Sequence, residues 1–532
     1  MGRVSVYLCC LIFLSAVIGC GSKEASMSKD MQLQSEKGVV MAMRRQLNEL
    51  PQEAGDPEHN REAYDKIVEN EFLNALQNPK STFSIDVDTA SYSNVRRMLN
   101  NGEKPVAGAV RIEELVNYFP YDYPSPTGEH PFSVTTEVAQ CPWNKEHQLV
   151  RIGLKGLEIE QEERPASNLV FLLDVSGSMQ NPDKLPLVKS AMRLLVENLN
   201  ARDRVAIVVY ASASGLVLPS TSANEKAKIL AAIDGLNAGG STNGGKGIEL
   251  AYGVAESYFI DGGTNRVILC TDGDFNVGVS SQSALVDLIT QKAKSNIFLS
   301  VFGFGTGNLN DSTMEKLSGK GNGNYGYIDS LLEARKSLVQ QMGSTLITIA
   351  KDVKIQVDFN PARVDSYRLI GYENRLLANQ DFDDDSKDAG EIGAGHTVTA
   401  LYEIVPAGSS SEAKTDSPSK FVESKIKEGV DPKTMLIVNL RYKKPTGKES
   451  KLFSVELKHD VEDSAPIASS EMQFASAVAA FGMKLRGSKF AGDASWDWIV
   501  STAEKTSGDD PNGFRNEFVG LAKRARMICK EN

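Results

Sequence analysis

The chain has 532 residues, 41% of them hydrophobic and 24% charged, with 44 glycines and 20 prolines. That length leaves room for about three domains, and the near-average composition excludes collagen-like, low-complexity and wholly disordered chains. A net charge of −11 with no basic stripe offers no electrostatic footprint for a phosphate backbone, so no nucleic acid is expected as a partner.

Arg3 precedes an uncharged, mostly apolar run from Val4 to Gly19, the layout of a signal peptide and too short for a comfortable membrane span. It ends Val17-Ile18-Gly19-Cys20, which resembles a bacterial lipobox; the resemblance implies that Cys20 is acylated and anchors the chain to a membrane. Gly21 and Ser22 follow instead of an aspartate, which by the same resemblance favours the outer membrane, on its periplasmic face or at the cell surface. Cys9 and Cys10 belong to the signal, leaving Cys141, Cys270 and Cys529 without zinc spacing or an even count. Cys270, inside an apolar strand, reads as a buried thiol, and a bridge between Cys141 and Cys529 stays open. Residues 20–78 are polar and read as a tether, helical over 42–50 and 61–76.

The middle of the chain alternates. Leu169 to Leu173 is a continuous apolar run ending at Asp174, as expected of a strand buried on both faces. Leu185, Val188, Met192, Leu195 and Leu199 then recur at helical spacing. Strands are expected at 205–210, 215–219 (an edge), 266–270 and 297–302, and helices at 225–236, 247–259, 283–294 and from about Leu331. This grammar predicts a doubly wound, mostly parallel α/β sheet of Rossmann-like type, which binds ligands outside the carboxyl ends of its strands.

Oxygen donors gather at those ends: Asp174-Val175-Ser176-Gly177-Ser178 after the first strand, Gly239-Gly240-Ser241-Thr242-Asn243 before a helix, and Thr271-Asp272-Gly273 after a later strand. Each piece alone is an ordinary helix cap or turn. Together, two carboxylates and three hydroxyls on one rim suit a hard octahedral cation, Mg²⁺ or Mn²⁺.

This segment resembles a von Willebrand factor type A domain with a complete metal-ion-dependent adhesion site. Asp174, Ser176 and Ser178 match its D-x-S-x-S, Thr242 its threonine and Asp272 its T-D-G aspartate. The resemblance implies that the serines and Thr242 ligate the ion directly or through water, while the aspartates act directly or from behind the ligands. It also implies capture of a partner protein that offers an Asp or Glu to the ion's open position. Segments 81–92 with 110–114, and 371–375 with 390–396, resemble the flanks of a bacterial lipoprotein family that carries such a domain between a characteristic N-terminal segment and a C-terminal domain.

The flanks read as strands over 132–139 and 148–159 before the central domain, and over 353–359, 396–405, 435–442 and 452–457 after it. A β-sandwich built from both flanks is expected, with the type A domain inserted, and then helices, the first carrying Phe474, Val478, Phe481 and Leu485 on one stripe. The expected boundaries are 1–19 signal, 20–78 tether, 79–165 N-terminal flank, 166–345 type A domain and 346–532 C-terminal domain.

Other candidates are weaker. Asp381, Asp383 and Asp385 imitate a calcium loop but lack its glycine and its final glutamate. Asp86-Val87-Asp88-Thr89 reads as a turn with local hydrogen bonds. None of the five histidines lies beside a nucleophilic elbow, His396 included, and no phosphate-cradling loop occurs. No enzyme is expected; a metal-dependent hydrolase of phosphate esters, or a structural envelope protein whose metal only stabilises the fold, are the alternatives.

Overall fold

The computed structural model describes residues 62–529 apart from 86–87, 161, 241–243, 274–281, 342–346, 388, 410–425, 428, 430 and 460–466. Cys20 and Thr242 therefore lie outside the described residues.

The N-terminal flank contributes strands β1 (Leu73–Asn74), β2 (Lys80–Ser84), β3 (Phe132–Gln140) and β4 (Gln148–Gly156), with helices Ala90–Asn100 and Ile112–Asn117 between β2 and β3. The central segment contributes β5 (Ser167–Asp174), β6 (Arg204–Tyr210), β7 (Ser214–Ser222), β8 (Thr264–Thr271), β9 (Ile297–Phe304) and β10 (Tyr325–Ile328). The C-terminal flank adds β11 (Thr348–Phe359), β12 (Val364–Ile370), β13 (Gly390–Gly393), β14 (Thr397–Pro406), β15 (Thr434–Lys443) and β16 (Ser450–Lys458), then helices Ser470–Arg486, Trp496–Lys505 and Phe514–Ile528.

The central strands form one sheet in the order β10-β9-β8-β5-β6-β7, parallel throughout except where the edge strand β7 runs antiparallel to β6. Alternate residues of β5 enter two different cores. Leu169, Phe171 and Leu173 join Val188, Met192 and Leu195 of helix Leu185–Glu197, while Val170 and Leu172 join Ile248, Ala251 and Tyr252 of helix Gly244–Ser257. That is the reason the run is apolar without alternation: both faces are covered, and each such side chain contributes about 1.5–3 kcal/mol by leaving water.

The flanks interleave. One antiparallel sheet runs β1-β12-β14-β4-β3, so the pairing of β4 with β14 (Ile152 opposite Ala400) joins residues before the central domain to residues after it. In the other, β11 pairs β15 on one side and shares its opposite edge between β2 and β13. The two sheets meet through aromatic side chains, with Phe359 edge-on to Tyr402 at 5.3 Å and Phe132 edge-on to Tyr442 at 4.8 Å. The sandwich is thus closed only when both flanks are present, and the type A segment is an insertion between β4 and β11.

A further core unites the three C-terminal helices with the helices of the N-terminal flank. Phe474, Val478, Phe481 and Leu485 are all buried there, and Phe119 meets Phe474 edge-on at 4.9 Å. Helix Ser470–Arg486 starts where the Ser469 hydroxyl accepts from the Met472 N–H and stops at Gly487, whose φ of 73° closes it with a left-handed cap.

One expectation is corrected. Residues 62–78 do not belong to a tether and form no helix over 62–76: β1 pairs β12, Phe72 and Ala75 are buried, and the Ala63 N–H donates to the Leu309 carbonyl. The polar spacing there reflects a short edge strand and turns, whose few apolar residues dock individually. Asp88 also reaches far beyond its own turn: its Oδ1 accepts from the Tyr325 N–H at 2.7 Å and its Oδ2 from Arg375 at 3.3 Å. Cys141, Cys270 and Cys529 are free thiols.

Candidate metal centre of the type A domain

Adjacent parallel strands β5 and β8 pair in register up to Leu173 opposite Cys270. Neighbouring strands lie about 4.8 Å apart, so Asp174 comes level with Thr271 and Asp272 follows one residue further on at the same carboxyl rim. Both are fully buried. The Asp174 Oδ1 accepts from the Ser176 N–H at 2.8 Å, which bends the D-x-S-x-S loop back over the strand end, and the Ser176 and Ser178 hydroxyls then lie 3.0 Å apart. The Thr271 hydroxyl, 3.4 Å from Asp174 Oδ2, also accepts from the Gly273 N–H at 3.2 Å.

The loop leading to Thr242 is stitched onto this rim by its backbone. The Gly239 N–H donates to the Val175 carbonyl at 2.7 Å and the Gly177 N–H to the Gly240 carbonyl at 2.9 Å. Gly273 has φ of 104°, and a Cβ there would come within 2.4 Å of the Asn308 carbonyl oxygen; only glycine lets the T-D-G turn close on the loop after β9.

Burial pushes the Asp174 carboxyl up to about 6, against the hydrogen bonds from Ser176 and helped by the charge of Asp272. A buried carboxylate pair of this kind calls for a positive partner. One is present that the sequence reading missed: the Lys184 ammonium donates to Asp272 Oδ2 at 2.9 Å, with both side chains buried. Lys184 stands just before helix Leu185–Glu197, and its stem lies where a Cβ on Gly305 would fall, 2.3 Å from Cγ. No local signal announces the pairing, since 88 residues separate the partners.

The donors fit a hard divalent ion. The Asp174 carboxyl and the Ser176 and Ser178 hydroxyls gather at one rim, and Ser178 is exposed to solvent. Among the described residues no group of three or more His, Cys, Asp or Glu is placed to hold a metal, at this rim or elsewhere; the rim offers two carboxylates and its remaining donors are hydroxyls.

The remaining candidates resolve into structure. Lys354 donates to the Asp381 and Asp384 carbonyls, Arg441 to Asp383 at 2.6 Å and Lys443 to the Asp385 carbonyl at 2.7 Å, so the acidic turn is already served by cations. Burial pushes the His396 imidazole down to about 4, and its backbone closes the turn before β14 through a bond to Gly393.

Comparison with known proteins agrees with this architecture. Residues 168–341 match the von Willebrand factor type A domain, 58–151 a von Willebrand factor model, and 344–528 the C-terminal domain described as that of uncharacterized protein YfbK. Type A domains mediate protein–protein interactions and commonly bind divalent metal ions at an adhesion site. The chain is 28% identical over 204 residues to uncharacterized protein sll0103 of Synechocystis, covering 38% of this chain and 47% of that one. It is 27% identical over 161 residues to human inter-alpha-trypsin inhibitor heavy chain H4, covering 28% of this chain and 17% of that one. To uncharacterized protein YfbK of Escherichia coli K12 it is 45% identical over 469 residues, 87% of this chain and 80% of the relative. A likeness of that extent, running through both flanks and the central sheet, makes the chain a member of the YfbK family of von Willebrand factor type A proteins.

Proposed function

We propose that this protein is a lipid-anchored component of the bacterial outer membrane that captures a protein partner through Mg²⁺ or Mn²⁺ held by Asp174, Ser176, Ser178, Thr242 and Asp272. The observation that carries the reading is the convergence of two buried carboxylates and a pair of hydroxyls at the carboxyl rim of the central sheet, with Ser178 open to solvent. Asp174 fixes the loop through the Ser176 N–H, and the serine hydroxyls add donors without adding charge. When bound, the ion supplies an electrophilic position that an Asp or Glu of the partner can fill.

Calorimetric titration of the chain with MgCl₂ and MnCl₂ tests the site. Binding by the native chain and its loss in Asp174→Ala are the expected results; equal heats in both refute the assignment. Labelled palmitate incorporated into the native chain but not into Cys20→Ser tests the anchor, and equal incorporation refutes it.

A further inference from the structure

The flanking segments that carry the family resemblance are separated by hundreds of residues, yet three of them fold to one place outside the metal centre. Arg111 of the 110–114 segment binds Glu114 at 2.5 Å and Asp311 of the type A domain at 2.5 Å. Arg375 of the 371–375 segment binds Asp88 at 3.3 Å and Glu315 at 3.1 Å. Glu373 pairs with Arg486 of the first C-terminal helix. These ion pairs wall a cavity of about 600 Å³ where the two flanks meet helix Asp311–Lys320.

At its wall stands Glu113, 3% exposed, whose Oε2 has no hydrogen-bond partner. A buried acceptor without a donor ordinarily costs about 1–3 kcal/mol, and such a group asks for an explanation. Its Oε2 packs close to Gly371, whose φ is 75° and where a Cβ would come within 2.6 Å of it. Burial, with Glu373 and Glu114 beside it, pushes the Glu113 carboxyl up to about 7 despite Arg486, and burial likewise raises Glu315. Six carboxyls and five cations line the cavity, and Arg111, Arg375 and Lys316 are already held by Asp311, Glu315 and Asp65, so Glu113 Oε2 stands without a cation of the wall's own. The carboxyls are too dispersed for a metal ion, as no qualifying cluster occurs among the described residues. The mouth is apolar instead, formed in part by Val68 and Leu376, which are 75% and 50% exposed.

We infer that this cavity is a second binding site, which takes an aliphatic chain ending in an ammonium or guanidinium group, the stem lying against Val68 and Leu376 and the charged head donating to Glu113. An amphipathic cation matches the wall on both counts: its methylenes cover the exposed apolar mouth while its N–H groups satisfy the buried acceptor. The site is chemically opposite to the metal centre, which takes an acidic group, and it does not depend on that centre.

The test is calorimetric titration of the full chain with n-butylguanidinium chloride, and in parallel with Nα-acetyl-arginine methylamide. Saturable binding is expected, weakened at least tenfold in Glu113→Gln, severalfold in Leu376→Ser, and unchanged by EDTA or in Asp174→Ala. Binding of both probes identifies a pocket for a polypeptide side chain; binding of the free alkyl cation alone identifies a small amine. No saturable binding to the native chain overturns the inference, as does native affinity in Glu113→Gln. Should Glu113→Gln fail to fold, an unaltered affinity in Leu376→Ser, which changes only the mouth, overturns it equally.

Discussion

The Lys184 ammonium lies 2.9 Å from Asp272 Oδ2, and neither side chain reaches solvent. The T-D-G aspartate thus holds a permanent cation of the chain's own on one oxygen, and the ion expected at this rim shares that carboxylate with it. Lys184 compensates part of the buried negative charge in the absence of metal.

Removing one partner of a buried ion pair costs about 3–5 kcal/mol because the other is left uncompensated. Lys184→Met should lose stability of that order in EDTA, and millimolar Mg²⁺ should restore more stability to the variant than it adds to the native chain. Urea unfolding with and without Mg²⁺ measures both; an equal Mg²⁺ increment in the two proteins would show that Lys184 and the ion do not share Asp272.

Ser178 is exposed while Ser176 is buried, so the two hydroxyls, 3.0 Å apart, separate in their consequences. Ser178→Ala should weaken Mg²⁺ binding by about tenfold, roughly 1.4 kcal/mol, with the melting temperature in EDTA unchanged within about 1–2 °C. Titration calorimetry and thermal unfolding on the same samples check this, and a drop in stability without a drop in affinity would place Ser178 outside the ligand set.

Arg96 ties three parts of the chain together. From helix Ala90–Asn100 its guanidinium reaches Asp329 at 2.5 Å and Glu333 at 2.8 Å at the end of the type A segment, and Glu517 of the last helix at 3.0 Å. Arg96→Ala leaves these carboxylates facing one another and should cost about 3–5 kcal/mol. Arg96→Lys should recover little of it, because one ammonium cannot serve the fork of partners. Equilibrium denaturation decides, and a lysine variant as stable as the native chain would contradict the bridging role.

Glu113 binds its proton more tightly in the folded chain, at about 7, than at its ordinary 4.5. The folded state therefore holds more protons than the unfolded one between those values, and its stability falls as pH rises from about 4.5 to about 7, by on the order of 3 kcal/mol from this group. The facing charges are Glu373, Glu114 and Arg486. Glu113→Gln should flatten the stability–pH curve across that window, and an unchanged slope between pH 4.5 and pH 7 would refute the assignment.

Much of the central sheet was legible because its signals are local. An apolar run such as Leu169–Leu173 needs no knowledge of its neighbours to be read as a doubly covered strand, and the edge character of 215–219 was visible in its weaker pattern. The expected strands of the flanks were observed within a few residues of their ends, including β15 as Thr434–Lys443 against an expected 435–442. The short strands β2, β10 and β12 escaped, as did helices Ala90–Asn100 and Asp311–Lys320: in Lys80–Ser84 and in helix 90–100, polar residues such as Ser81, Ser91 and Asn94 are buried against partners from distant segments, so hydropathy alone gave no period.

By itself the sequence determined the doubly wound central sheet and the oxygen-bearing loops at the ends of its strands, because spacing and residue type act within a few turns of chain. Only the tertiary structure decided which charges meet. Lys184 with Asp272, Arg111 with Asp311, and Arg375 with Asp88 are pairs separated by 88, 200 and 287 residues, and the unpaired Glu113 beside Gly371 is equally non-local. Coulombic and hydrogen-bond energies depend on distance in space, which no local period encodes, so the partner of a buried charge exists only once the chain has folded.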